Sequence, residues 1–230
     1  MSEQQPASTD DPRNAAFEIK SYNLPDAALA DSTGTGNNCL VWQPQRTLVV
    51  IGKGSDPALE VSLDNVLRDR IPVLRRATGG CAVVLSPDML VGSFALRTEE
   101  QLPSRECFRL FLQIIMGALR IQGIRDLGHQ GISDIAIGER KIAGTAIYRN
   151  RQLVFFHAIL NVAGGTEAME KYLLRPPRMP DYRRNRSHHD FVTSLTAQGY
   201  SLDSRRFAND VKMEFIRRFG AHTSLASEAA

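Results

Sequence analysis

The sequence lacks a long apolar run. Its longest apolar stretches, around Leu110–Leu119 and Leu153–Leu160, stop well short of the ~20 residues that a bilayer-spanning helix needs. No membrane span is therefore expected. Cysteine is scarce: Cys39, Cys81 and Cys107 are the only three, with no CxxC pair. An odd, scattered set excludes a disulfide framework and points to a reduced, intracellular setting. An excess of one charge is missing too. Twenty-eight basic and 25 acidic residues leave +3, too even a balance to argue nucleic-acid binding from composition. The opening stretch Met1–Asn14 carries aspartates and lacks the basic and then apolar pattern of a signal peptide. It reads as a disordered tail, and the compartment expected by default is the cytoplasm. Neither GxxxxGK[ST] nor GxGxxG occurs, so the common phosphate-loop signatures are absent.

What is present is a chain of 230 residues, 43% of them apolar, long enough to bury a core. Gly220 reads as the stop of a last helix, so one domain is expected over 15–220, with a disordered tail at 221–230. Cys39–Trp42 and Thr47–Ile51 read as strands, Ser62 caps a short helix through Arg68, and Ile71–Leu74 is a strand. Ala82–Leu85 and Leu90–Leu96 read as a hairpin. Phe108, Phe111, Leu112, Ile115 and Leu119 recur at helical spacing after Pro103 and Ser104, and Phe207, Val211, Phe215 and Phe219 do so before Gly220. A shorter helix is expected over Glu167–Leu174, capped by Thr166. Asp134–Ile137, Lys141–Tyr148 and Leu153–Val162 read as three further strands. On the last of these, Val154, Phe156, Ala158, Leu160 and Val162 form an apolar face. Leu153, Phe155, His157, Ile159 and Asn161 form a mixed face that could line a pocket. Together these elements predict an α+β fold, a mixed and largely antiparallel sheet flanked by helices.

Two local patterns could carry chemistry. Arg75-Arg76-Ala77-Thr78-Gly79-Gly80-Cys81-Ala82 follows a strand. Paired glycines let a backbone approach an anion closely, and paired arginines supply donors for carboxylate or phosphate. The alternative is an ordinary glycine turn with solvated arginines. The second pattern is Asp134 through Ala146. Strand alternation places Lys141 with Ala143 and Thr145, small neighbours that leave room for a ligand. The alternative is an exposed strand lysine.

In order and spacing, Trp42, Val50-Ile51-Gly52, Glu60-Val61 and the Arg75–Gly80 loop resemble the N-terminal half of the lipoate–protein ligase family. Asp134, then Lys141-Ile142-Ala143-Gly144-Thr145-Ala146, is similar to that family's K-I-x-G-[ST]-A segment, and His157 falls where it places a histidine. The resemblance spans roughly Trp42 to Leu174. It implies a biotin/lipoate ligase type of catalytic domain, with lipoate and ATP as substrates and Mg²⁺ as cofactor. Lipoyl-adenylate would form first, and its acyl group would pass to a lysine of a lipoyl-domain acceptor. The acceptor would be a 2-oxoacid dehydrogenase E2, a glycine cleavage H protein or another lipoate carrier.

On this resemblance Lys141 is the catalytic residue. Arg75, Arg76, Thr78, Gly79, Gly80, Cys81, Ala82, Asp134, Lys141, Gly144, Thr145 and His157 bind substrate or cofactor, and Asp134 contributes to Mg²⁺. Val83, Phe155 and Ile159 are expected to line the acyl slot. The sequence departs from the family at Cys81, where a third loop glycine is usual. It departs again at Leu85-Ser86 and Asp88-Met89, and at Ala158 after the histidine. Only eleven residues follow Phe219, so a catalytic domain without the family's C-terminal accessory domain is expected, with a separate accessory subunit as a further partner.

Three other readings stand beside the ligase. Lipoyl and octanoyl transferases of the same superfamily use a cysteine in place of ATP, placed near or after the lysine, and no cysteine follows Cys107. A non-catalytic lipoate- or adenylate-binding homologue is the second. The third is a nucleic-acid module built on the arginines of Arg175–Arg186 with Tyr182, against which stand a solvated surface loop and a docking face for an acidic lipoyl domain. His188-His189 is a poor metal pair, because adjacent side chains diverge. The GRGRxGR loop of biotin ligases is absent.

Overall fold

The computed structural model of the chain describes residues 17–31, 36–99 and 102–220. Both expected tails lie outside these. In chain order the first half contains β1 (Ile19–Ser21), β2 (Asn38–Trp42), β3 (Leu48–Ile51), α1 (Pro57–Glu60), α2 (Leu63–Arg68), β4 (Val73–Arg75), β5 (Val83–Leu85), β6 (Met89–Arg97) and α3 (Ser104–Ile121). The second half contains β7 (Leu127–Gln130), β8 (Asp134–Ile137), β9 (Arg140–Arg149), β10 (Leu153–Asn161), α4 (Glu167–Tyr172), α5 (His188–Phe191) and α6 (Ser204–Phe219).

The strands form two sheets. The larger has the order β2-β6-β10-β9-β8-β7 and is antiparallel throughout. The smaller, β1-β4-β3-β5, is parallel at β1–β4 and β4–β3 and antiparallel at β3–β5. The fold is α+β, as the sequence predicts. The expected hairpin over Ala82–Leu96 is a misreading: β5 pairs with β3, while β6 pairs with β2 and β10. The chain crosses between sheets at the turn closed by Met89 N–H on Ser86 O, 3.1 Å. Two apolar runs around a Pro-Asp turn have the sequence of a hairpin, and only the long-range partners decide otherwise.

The main core lies under the larger sheet, where α3 and α6 pack. Phe94, Phe111, Phe156 and Phe215 are fully buried, with ring centroids 4.9 Å apart for Phe111–Phe156 and 5.2 Å for Phe94–Phe111. The helical stripes are therefore core, and an aromatic cluster of this kind adds to simple area burial. Each long helix stops where a glycine takes positive φ, Gly123 at 82° and Gly220 at 75°. Asp203 caps α6, accepting from Arg205 and Arg206 N–H. Ser62 and Thr166 occupy cap positions without a capping hydrogen bond. A second core, including Val49, Val73, Val61 and Tyr172, joins the smaller sheet to α2 and α4. Among the described residues no helix is long and apolar enough to cross a membrane.

Candidate functional site

Between the two sheets lies a cavity of about 480 Å³. Its floor is the mixed face of β10, where His157, Ile159 and Asn161 look away from the main core, together with β9. The 76–84 segment of the smaller sheet forms the opposite wall, and the arm 173–183 closes the side. Most of the lining is apolar, including Val83, Met89, Ile142, Met169 and Leu173. Phe155 does not line it. Its ring is buried with Ala95 and Leu153 in a separate cluster.

Lys141 borders this cavity for a reason that alternation hides. A β-bulge interrupts the β8–β9 register, so that Ile135 faces Ala143 and Ala136 faces Lys141. Both Ile142 and Ala143 enter the main core, an outcome that a strict period of two forbids. Lys141 therefore does not share a face with Ala143. Its side chain lies back over Gly144, where an added Cβ would sit 2.7 Å from Nζ and 2.8 Å from Cε. The ammonium ends 2.8 Å from Asp134 Oδ1. Asp134 Oδ2 accepts the Tyr182 hydroxyl at 2.8 Å. Burial, then the adjacent carboxylate, raises the Tyr182 hydroxyl above its ordinary pKa and keeps it a donor. Thr145 Oγ1 donates to Ser133 O at 2.8 Å, tying β9 to the loop before Asp134. Gly144→Ala is expected to leave the fold intact, since the clash falls on the mobile end of a side chain. It should displace the ammonium from Asp134 and lower turnover about tenfold or more. Steady-state kinetics beside a thermal melt checks this, with Tm nearly unchanged.

The Arg75–Ala82 loop is built by main-chain contacts. Arg76 is buried and spends its donors on carbonyls: Nη1 on Val50 O at 3.1 Å, Nη2 on Gly79 O at 2.8 Å and on Cys81 O at 2.9 Å. Burial lowers its pKa to about 10, so it remains charged beside the cavity. Arg75 Nη1 reaches Gly52 O, Lys53 O and Ser55 O within 3.0–3.2 Å. Arg75, Thr78 and Gly79 do not line the cavity, whereas Gly80, Cys81 and Ala82 do. The two arginines thus hold the loop in shape instead of offering free forks to an anion. Glu60 completes the scaffold. It is buried and accepts Ala82 N–H and the Ser55 hydroxyl.

His157 Nε2 lies 3.1 Å from Thr78 Oγ1, joining the larger sheet to the loop. The arginine-rich arm is not solvated along its whole length. Arg183 is buried, with its guanidinium 5.0 Å from the Phe191 ring centroid, and Arg178, Arg183 and His188 line the cavity. His188 Nδ1 lies 3.9 Å from Glu170 Oε1, whereas the His189 ring meets Thr166 Oγ1 at 3.3 Å. Sequence reasoning left Tyr182 in a basic patch and gave no role to Tyr22, Asp26 or Ser93. A tyrosine 48 residues from its aspartate carries no spacing signal.

The comparisons with known proteins agree with this geometry. Residues 20–216 match the sequence model of the family described as lipoyl protein ligase A/B catalytic domain. The chain belongs to that family. Lipoate–protein ligase 2 of Staphylococcus aureus is 30% identical over 132 residues, 56% of this chain and 37% of its own length. A bipartite lipoate protein ligase from Thermoplasma acidophilum, studied with its E2 lipoyl domain, superposes with a TM-score of 0.68 at 23% identity, covering 80% of this chain and 71% of its own. A lipoate-protein ligase A solved with ATP gives a TM-score of 0.67 at 21% identity, covering 87% and 85%. At these identities the structural matches establish the ligase catalytic fold. The curated relatives match over 36–50% of their own length.

Proposed function

We propose that this lipoyl protein ligase A/B catalytic domain activates lipoate with ATP and transfers it to a lysine of a lipoyl-domain acceptor. The observation that carries this reading is the Lys141 ammonium, paired with Asp134 at 2.8 Å at the edge of a largely apolar cavity. Such a cavity suits an amphipathic acid, with its hydrocarbon among Val83, Ile159 and Met169 and its carboxylate toward Lys141. The matching family and the named ligases support the same reaction class.

In the first step a carboxylate oxygen of lipoate forms a bond to the α-phosphorus of ATP, the α–β anhydride bond breaks, and pyrophosphate leaves. In the second, the neutral amine of the acceptor lysine attacks the acyl carbon. An amide forms, AMP leaves and the amine's proton passes to solvent. Negative charge grows on the α-phosphate oxygens and then on the acyl oxygen, and Lys141 is the fixed cation placed to answer both. Asp134 and Gly144 aim it, and Arg178 and Arg183 add positive potential on the arm side. No protein nucleophile is required, so catalysis rests on positioning and charge.

Mg²⁺ does not fit a protein-built site here. Both Asp134 oxygens already face Lys141 and Tyr182, and no group of three His, Cys, Asp or Glu residues converges among the described residues. No step is assigned to a protein-held metal. The testing experiment supplies lipoate, ATP and an apo lipoyl domain. Pyrophosphate release and a lipoyl mass increase on the acceptor are expected together. Transfer from an acylated carrier protein without ATP would replace this reading with a transferase.

A further inference from the structure

Behind the cavity wall sits a chain of buried polar groups that the ligase chemistry above does not use. Asp26 is fully buried in the first described segment. Its Oδ1 accepts the Tyr22 hydroxyl at 2.7 Å, and its Oδ2 accepts the Ser93 hydroxyl at 2.6 Å. His157 Nδ1 faces Oδ2 at 3.6 Å, beyond hydrogen-bond reach but near enough for the carboxylate to orient the ring's N–H dipole, and it has no other partner. The other ring nitrogen meets Thr78 Oγ1 at 3.1 Å. Thr78 is 1% exposed and lies outside the cavity lining, while Gly80, Cys81 and Ala82 two to four residues on form that lining. We propose that Asp26, His157 and Thr78 form a positioning relay that anchors the Arg75–Ala82 loop from behind, with Thr78 acting on the loop and not on the ligand. The consequence for binding rests on the ligase reading, in which the cavity that this loop helps to wall takes lipoate.

The charge states follow from the surroundings. Burial, aided by the Arg76 charge, holds the imidazole below its ordinary pKa and keeps it neutral. Burial would raise the Asp26 carboxyl, yet His157, Ser93 and Tyr22 together outweigh that and hold it low. An ionised carboxylate opposite Nδ1 favours the proton on Nδ1, so Nε2 accepts and the Thr78 hydroxyl donates. The relay on the Thr78 side chain joins the other anchors of the loop: Arg76 on its carbonyls, Glu60 on Ala82 N–H, Lys53 N–H on Thr78 O and the Ser55 hydroxyl on Gly80 O. A valine at 78 preserves shape and removes the donor, and a serine preserves the donor.

The relay is tested with the full chain and Thr78→Val, Thr78→Ser and Asp26→Asn. Nitrogen-15 histidine spectra of the wild-type protein should show His157 neutral with its proton on Nδ1, and Asp26→Asn should shift it toward the other tautomer. Thr78→Val should speed amide exchange at Gly80–Ala82 about tenfold while leaving Phe94 and Phe156 amides unchanged, and Thr78→Ser should behave as wild type. These readouts need no turnover, so they stand or fall apart from the ligase reading. With lipoate and ATP, Thr78→Val should raise KM for lipoate about tenfold and change kcat and KM for ATP little. A wild-type His157 protonated on Nε2, exchange that rises evenly through the core, or an unchanged lipoate KM in an active Thr78→Val enzyme would each overturn the proposal.

Discussion

Lys141→Ala is expected to lower kcat about 10²–10³-fold, the size of the loss when one preorganised donor to developing negative charge is removed. The fold survives, because the ammonium lies at the cavity edge with its side chain 27% exposed. Asp134 keeps the Tyr182 hydroxyl, which limits the stability cost of leaving its buried carboxylate unpaired to about 1–3 kcal/mol. Lys141→Arg retains charge but presents a planar fork where a compact ammonium fits over Gly144, and it recovers only part of the loss. Single-turnover kinetics with and without acceptor, beside circular dichroism, checks both variants. A Lys141→Ala enzyme with wild-type kcat would remove the residue from the chemistry.

Gly52→Ala is expected to damage both stability and activity. A Cβ at Gly52 would sit 2.1 Å from Gly80 O and 3.1 Å from Ser55 Oγ. The first of these is main chain, which cannot swing aside as the Lys141 side chain can at Gly144. Relief requires moving the β3 end away from the loop, which disturbs the Lys53 N–H contact to Thr78 O at 2.9 Å and the Arg76 N–H contact to Ile51 O at 3.0 Å. Overpacking of this kind costs about 1–3 kcal/mol. The displaced loop should lower kcat/KM for lipoate about 10²-fold. Thermal melts and lipoate titrations measure the two effects. A Gly52→Ala protein with wild-type Tm and KM would show that the close approach has no role.

The contrast between these two glycines shows what the sequence made legible. The glycine-ended strand and the Arg-Arg loop were visible as motifs, and their mutual approach is what the spacing encodes. Both long helices were legible from their apolar spacing, since Phe111, Leu112 and Leu119 of α3 and Phe207, Val211 and Phe215 of α6 bury as the stripes require. Lys141, Asp134 and His157 stood out in the sequence, and all three line the cavity. Their partners did not stand out. The bulge at Ile142–Ala143 leaves no mark in a run of small and apolar residues, so alternation assigned Lys141 the wrong neighbours. Tyr182 reaches Asp134 across 48 residues, and Asp26 reaches Ser93 across 67. Such pairings are decided by tertiary packing, which local pattern does not contain. The arginine arm misled for a related reason: Arg183 is buried against the Phe191 ring, with its Nε on Arg186 O, partners that composition does not announce.

The most direct test mixes the protein with lipoate and ATP without acceptor and follows the product by mass spectrometry. Lipoyl-adenylate should accumulate with one pyrophosphate per adenylate, and Lys141→Ala should yield little of either in the same period. Adenylate absent from the wild-type reaction, with lipoyl groups still passing from an acylated carrier protein to the acceptor, would contradict the account.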